Sequence, residues 1–338
     1  FPLVFMSHWL EKLLSLPAFL RISLFLLVGF PLLYYLYYVD PFLGFRQPFL
    51  TQLWILLVAF SAVMALKELL ERFFDQRSFT VLLFALFLLS FLLIPRSIVD
   101  EALVRLDLFL PNQLDMGIQN QVMWTLAFQG SPQLAIGSPD GVYNTHYFRD
   151  HVPLFYFLVA PIYRLQPSPQ TLIYLQSFFL YLGIIPWMAL VRRLTGSWNL
   201  TWIAGLIYLY YPALQILQLF DVHEAVFSIP LFLCALVFLE ASRVSARPLL
   251  LEVLFGFFLF LAGLVREEMG LFSVSLGIFL FFRREIRPAV IAFCLGAGQF
   301  IVMSMIIQRS FGSGGHYERY APLFFLDGEY SVISILQL

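Results

Sequence analysis

The stretch VPLFYFLVAPIYRL, residues 153–166, decides how this chain is threaded. It is as apolar as a membrane span, yet it is short and carries Pro161. A spanning helix needs about 20 apolar residues. Nine other apolar runs flank it, near 18–39, 50–66, 79–94, 170–191, 199–218, 225–239, 248–265, 269–282 and 288–307. Counting 153–166 as a further crossing would reverse the side of everything after it. The distribution of basic residues arbitrates, because short cytoplasmic loops collect Lys and Arg. If 153–166 does not cross, Lys12, Lys67, Arg72, Arg77, Arg192, Arg193, Arg243, Arg247, Arg283, Arg284 and Arg287 all share one face, the cytoplasmic one. The opposite short loops keep only Arg46 and Arg266. If the run did cross, the basic loops would be split between the faces. The sequence therefore predicts an all-α, polytopic transmembrane helical bundle of about nine spans. Segment 153–166 is a juxtamembrane or re-entrant helix, and the N-terminus is cytoplasmic.

Composition supports the membrane class. Hydrophobic residues make up 61% of the chain, charged ones 12%, and mean hydropathy is +0.85, far from the roughly 25% charge of soluble domains. The formal net charge of −1 provides no basic field for nucleic acid. Cys234 and Cys294 both lie within apolar runs, where they read as small hydrophobes and not as a disulfide or metal pair. The first apolar run lacks a small-residue cleavage site and is expected to be retained as a helix. No internal repeat or linker divides residues 1–338, so one transmembrane domain is expected, with an outer loop over 95–168 that carries amphipathic helices. The first Met is Met6 and Leu338 is followed by no terminating feature, so a further C-terminal part is expected beyond it.

This threading places nearly every unusual polar residue on the non-cytoplasmic face. The outer loop holds LDMGIQNQVMW, residues 114–124. Asp115 there reads either as the cap of an interfacial helix, where a carboxylate suits the exposed amides, or as a base or metal-binding carboxylate. Met116, Asn120, Met123 and Trp124 would form one helical stripe. Further on comes NTHYFRDHVP, residues 144–153. Asp150 or His151 can cap a helix opened by Pro153, while His146, Arg149, Asp150 and His151 together suit a phosphate or a divalent cation without matching a strict metal motif.

Two more stretches interrupt apolar runs. In LFDVHEAVF, residues 219–227, Asp221 and Glu224 stand at the capping-box offset around His223. In LVREEMGL, residues 264–271, Arg266, Glu267 and Glu268 adjoin without a turn residue between them. Arg266 favours the helix C-terminus it ends, and the glutamates favour the N-terminus they begin. The helices expected to follow, 225–239 and 269–282, cover about 22 and 21 Å at helical rise, short of a core about 30 Å thick. Both clusters are thus expected beneath the outer headgroups, where ionisable groups usually line a polar cavity. The expectation is one outward cleft formed by Asp221, His223, Glu224, Arg266, Glu267, Glu268 and the 115 and 146–151 segments.

The series DMGIQNQVMW, DHVPLFYFLVAPIYRLQPSPQTLIYLQ, LFDVHEAVFSIPL and LVREEMGL, in that order, resembles a family of predicted bacterial membrane proteins of unassigned function that is grouped with the GT-C type glycosyltransferases. The likeness extends over roughly 95–290. It implies a polytopic enzyme of the bacterial inner membrane, or an equivalent internal membrane, that takes a sugar from a polyprenyl phosphate carrier on the outer face. It also implies a catalytic acidic residue in the first large outer loop, which is Asp115 here. The chain departs from the family pattern at Asn120, where an acidic residue is common, and at Arg266–Glu268, where Lys-Glu-Asp is common. The first departure puts a two-carboxylate or metal-dependent mechanism in doubt; the second keeps the positive charge and adds bidentate phosphate geometry.

The leading expectation is therefore a GT-C-like glycosyltransferase acting on a lipid-linked sugar donor. Asp115 deprotonates or orients the acceptor hydroxyl. Arg266, with His223, His151 or His146, neutralises the departing phosphate. Asp150, Asp221, Glu224, Glu267 and Glu268 support those groups. The partners are the lipid-linked donor and membrane lipids, and a divalent cation is the cofactor these residues suggest. Two rivals stand beside it. An accessory subunit of a larger membrane complex is favoured by Asn120. A transporter or flippase needs midplane charges and repeat symmetry, and the chain shows neither.

Overall fold

The computed structural model describes residues 76–109, 113–134, 145–307 and 310–311. The apolar runs near 18–39 and 50–66 and the tail beyond 311 lie outside the described residues. The chain divides into two units, Phe1–Leu86 and Phe87–Leu338. Of the first, the described part is the opening of helix α1, and all that follows concerns the second.

Eleven α-helices follow one another among the described residues: α1 (Gln76–Asp107), α2 (Gln113–Gln129), α3 (Tyr156–Tyr163), α4 (Pro169–Leu182), α5 (Ile184–Thr195), α6 (Trp198–Tyr210), α7 (Pro212–Leu219), α8 (Ser228–Ser242), α9 (Pro248–Gly263), α10 (Met269–Phe282) and α11 (Ile286–Phe300). A π-helical turn, Ile301–Ile307, extends α11. A two-residue ladder, β1 (Gln133–Leu134) and β2 (Thr145–His146), pairs antiparallel. Local chemistry sets several of the boundaries. Ser168 caps α4 by accepting from the Thr171 amide, with Pro169 at the first helical position, and Ser197 caps α6 in the same way through Leu200. Pro212 separates α6 from α7.

Five stretches are long and apolar enough to cross a membrane: Arg77–Asp107, Pro169–Thr195, Trp198–Leu219, Glu224–Ser242 and Ile286–Ile307. Pro248–Gly263 and Met269–Phe282 are shorter apolar helices. The outer faces of these helices are greasy, with Leu92, Phe178, Phe257, Phe279 and Val290 exposed, which is the surface of an integral membrane protein. Helix α3 has eight residues, about 12 Å at helical rise, and so cannot cross. Helix α1 continues through Pro95 to Asp107, 13 residues beyond the end of the expected 79–94 run. The reason is that 96–107 alternates charged and apolar residues at helical spacing, which lowers its hydropathy without breaking its hydrogen bonding.

Two of the packed regions among the described residues position the site. The first is built by α8, α9, α10 and α11 around Ala235, Leu239, Phe255, Leu259, Leu280 and Ala292. There α10 and α11 approach closely where Gly270 faces Gly296: a Cβ on Gly270 would stand 2.6 Å from the Gly296 carbonyl oxygen. Small residues permit such contact between membrane helices. The second region joins α2, α3 and α4 to the ends of α8, α9 and α10 through Val122, Met123, Tyr156, Tyr163, Val222, Phe227 and Val265. His151, Asp221, Glu224 and Arg266–Glu268 are gathered at this end, whereas Arg243 pairs with Glu240 and Glu285 at the other end of α8.

Candidate functional site

The segment that opens α3 and the α9–α10 turn run side by side. The Phe155 amide donates to the Leu264 carbonyl at 2.8 Å, and the Val152 amide donates to Glu267 Oε2 at 3.1 Å. This brings His151 Nδ1 to 2.8 Å from Glu267 Oε1. On the other edge of the ring, Arg266 Nη2 donates to His151 Nε2 at 3.0 Å. Arg266 Nε lies 2.6 Å from Glu268 Oε1 and 3.6 Å from Glu224 Oε1. Five ionisable side chains from three segments distant in sequence thus form one cluster. Glu224 and Glu267 are 1% and 2% exposed, whereas Arg266 and Glu268 remain partly open, so the cluster has a closed floor and an accessible rim.

Beneath it is a neutral support. Gln119 of α2 donates through Nε2 to Glu224 Oε2 at 3.0 Å and to Tyr147 at 3.1 Å, and its Oε1 accepts from Tyr156 at 2.5 Å. Tyr163 donates to Asn120 Oδ1 at 2.7 Å. Gln176 of α4 accepts from the His223 amide at 2.8 Å and donates to the Leu217 carbonyl, fixing the extended backbone that turns Glu224 inward. Gln119 opens the QNQ stretch at 119–121. Tyr147, Tyr156 and Gln176 were not singled out by the sequence, because a lone Tyr or Gln in an apolar helix carries no pattern. The usable signal was that a buried amide needs partners.

Burial works against the charged form of His151, but its hydrogen bond to Glu267 and the charges of Glu224 and Glu267 outweigh that, and its pKa is raised. Burial likewise opposes ionisation of Glu267, yet His151 and two backbone amides hold its pKa below the usual carboxylate range. Glu268 is pushed up, by burial first and then by the Glu267 charge, against the pull of Arg266. With three carboxylates around one Arg and one His, the cluster is short of positive charge. His151, Glu267 and Glu268 can each place one ligand atom within 4.8 Å of the others, and an imidazole with two carboxylates is a donor set that suits a divalent cation.

A second group lies beside the first. Asp221 is 2% exposed, its Oδ2 has no hydrogen-bond partner among the described residues, and it lines a cavity of about 170 Å³ with Arg105 and Asn120. Burial, then the nearby Asp115 charge, push its pKa up to about 6 against the opposing effect of Arg105. Asp115 stands in the first turn of α2, two residues after its start at Gln113, so its charge suits the helix dipole from within the helix and not as its cap.

Several expected placements are corrected. Asp221 and Glu224 do not form a capping box: residues 220–223 are extended, a 3-10 turn (Glu224–Phe227) precedes α8, and His223 makes no side-chain cap. The reason is that Glu224 is drawn to Gln119 and Arg266. That turn also lengthens the apolar stretch to Glu224–Ser242, which places Glu224 at the end of a full-length span. Neither Asp150 nor His151 caps α3, whose N-cap is Phe155 without a side-chain bond. The buried stripe of α2 is Met116, Gln119, Val122, Met123 and Leu126, and Trp124 points outward because it lies about 80° from Met116 at 100° per residue. His146 caps the short 3-10 turn Tyr147–Arg149 through Nδ1 and stacks on Phe311. Asp150 ends that same turn. The His223 ring stacks on Phe220.

Among known families, one described as a predicted membrane protein (DUF2079) has a model that matches residues 105–336. No curated protein and no solved structure matches the chain.

Proposed function

We propose, on the premise that this chain belongs to the DUF2079 family of predicted membrane proteins, that it is a GT-C-like glycosyltransferase that draws its sugar from a polyprenyl phosphate carrier. The nine-span threading, with the polar cluster on the outer face of a bacterial inner membrane or an equivalent internal membrane, belongs to this reading. The observation that carries it is Arg266. It is the cation of a cluster with three carboxylates and a histidine, it is partly open, and it lies beside Glu224, which opens the apolar stretch Glu224–Ser242, a position that would suit a lipid phosphate. A fixed guanidinium with a planar fork suits a phosphate that gains charge as the sugar leaves.

Each neighbour has a part in that reaction. Glu224 and Glu268 hold the guanidinium from two sides, and Glu267 orients the His151 ring that accepts from Arg266. Protonating His151 removes that acceptor and frees the Arg266 Nη2 donor for the phosphate. Where a divalent cation is used, His151, Glu267 and Glu268 would hold it, and it would supply the positive charge the cluster lacks. The carboxylates at Asp115 and Asp221 stand on the acceptor side, where one of them takes the hydroxyl proton as the new glycosidic bond forms.

The test uses the full chain in liposomes with a radiolabelled sugar on polyprenyl phosphate. Arg266→Ala is expected to lower transfer about 10²–10³-fold, as loss of a charge-stabilising donor does, with Arg266→Lys recovering part of it. Unchanged transfer in Arg266→Ala would reject the assignment. One observation favours the accessory-subunit reading: Asn120, the departure from the acidic residue of the family pattern it resembles, spends its oxygen on Tyr163. That reading predicts no transfer by the isolated chain and recovery of a partner protein with it from native membranes.

A further inference from the structure

The cavity beside α2 is separate from the Arg266 cluster. Its walls come from the end of α1 (Ala102, Arg105, Leu106, Phe109), from α2, from the start of α4 and from the α7 end through Asp221. Most of that lining is apolar. Two charged residues break it, Arg105 and Asp221, and their Nε and Oδ2 atoms are buried and without a hydrogen-bond partner among the described residues. A buried unpaired donor and a buried unpaired acceptor each cost about 1–3 kcal/mol, and native proteins rarely leave such pairs in one cavity without a ligand that uses them. Asn120 adds an amide whose oxygen is already taken by Tyr163, leaving its NH2 as a donor. Phe109 and Phe220 line the cavity and are themselves exposed, so they stand at its mouth.

We propose that this cavity binds the sugar end of a neutral glycoside with an apolar aglycone. Arg105 and Asn120 donate to the ligand's hydroxyl oxygens, Asp221 accepts from a hydroxyl, and Phe109 and Phe220 pack on the sugar face or the aglycone. The opposite charges of Arg105 and Asp221 balance, so a neutral polyol fits better than an anion or a cation. The proposal deepens the transferase reading and rests on it for calling the ligand a substrate; occupancy of the cavity is measurable without any transfer.

The experiment labels carboxyls of the full chain in lipid nanodiscs with dicyclohexylcarbodiimide, a small apolar reagent for buried protonated carboxyls, and follows Asp221 by peptide mass spectrometry. Glu252, a buried carboxyl on α9 away from the cavity lining, is the internal reference. Octyl glucoside below its micellar concentration is the probe. By mass action, labelling of Asp221 should slow about tenfold at roughly ten times the dissociation constant, while Glu252 is unaffected. Octanol, which has the tail without the polyol, should not protect. Arg105→Gln, which removes the charge that opposes protonation of Asp221, should label at least as fast as the parent chain and lose the protection. Equal protection by octanol, or Asp221 that labels no differently with octyl glucoside present, overturns the proposal, as does Asp221 that never labels. If protection holds while no transfer is found in liposomes, the cavity stands and the transferase reading falls; the reverse result sinks only the cavity.

Discussion

His151 and Glu267 are the pair on which the site turns. Breaking a buried pair by neutralising one partner typically costs about 3–5 kcal/mol, so Glu267→Gln is expected to destabilise the protein by about that much. The sign with pH follows from both directions of shift. His151, raised, adds stability that is complete below the ordinary 6.5 and is lost as pH climbs through its raised pKa. Glu267, lowered, adds stability that is complete above the ordinary 4.5 and is lost as pH falls through its lowered pKa. Thermal unfolding in detergent should therefore show the largest gap between wild type and Glu267→Gln between about pH 4.5 and 6.5, shrinking on either side. A gap independent of pH would mean that Glu267 acts by packing alone. Gln119 makes a second prediction at this scale. Replacing it with Leu removes three hydrogen bonds at once and leaves Glu224 Oε2 and the hydroxyls of Tyr147 and Tyr156 buried without it. At about 1–3 kcal/mol for each group left unsatisfied, the loss should exceed that of Tyr156→Phe, which strands a single oxygen. Equal losses in calorimetry would show that Gln119 is not the hub.

Helices α10 and α11 depend on how close their backbones come. The Cβ of a residue at 296 would fall on the Gly270 carbonyl and on Val274 and Ser273, none of which is the end of a flexible chain. Gly296→Leu should separate the two helices and cost about 1–3 kcal/mol, the usual range for overpacking, read as a lower unfolding midpoint and increased proteolysis. Gly298→Ala, on the same helix with open space at its Cβ, is the control that should leave the midpoint unchanged or raise it. Because α10 carries Met269 directly after Glu268, the Gly296→Leu variant should also weaken the His151–Glu267 contact. Element lengths show where periodicity informed and where it did not. The apolar runs at 199–218 and 288–307 are helical throughout, with only the Pro212 break and a π-turn inside them. Helix α1 past Pro95 escaped a hydropathy reading because burial of a helix face needs neighbours, and those neighbours are supplied by segments far along the chain.

The bundle as a whole makes a prediction about sides. Leu165, just past α3, and Val244, just past α8, are both strongly exposed and should lie on opposite faces of the membrane. With Cys234 and Cys294 changed to Ala, Leu165→Cys should react with an impermeant maleimide on intact cells, and Val244→Cys only in inverted vesicles. Reaction of both from the same side would overturn the threading. The outcome does not hinge on whether the short helices α9 and α10 cross fully, since they come as a pair and leave the sides after them unchanged.

What the sequence determined by itself was the class of protein, the helical runs among the described residues and the shortness of the helix within 153–166. These depend on hydropathy over a window and on the placement of Lys and Arg, both of which are properties of neighbours along the chain. It also pointed to the residues worth watching, since Asp221, Glu224 and Arg266–Glu268 are charges in apolar surroundings. Only the tertiary structure decided how they divide. His151, Glu224, Arg266, Glu267 and Glu268 meet around one guanidinium, Asp221 falls to a separate cavity with Arg105 while Asp115 acts on it only through its charge, and His146 goes to a turn cap. Each of these contacts joins residues far apart in sequence. Such partners are chosen by packing and by the need of every buried polar atom for a mate, and neither requirement leaves a local mark in the sequence.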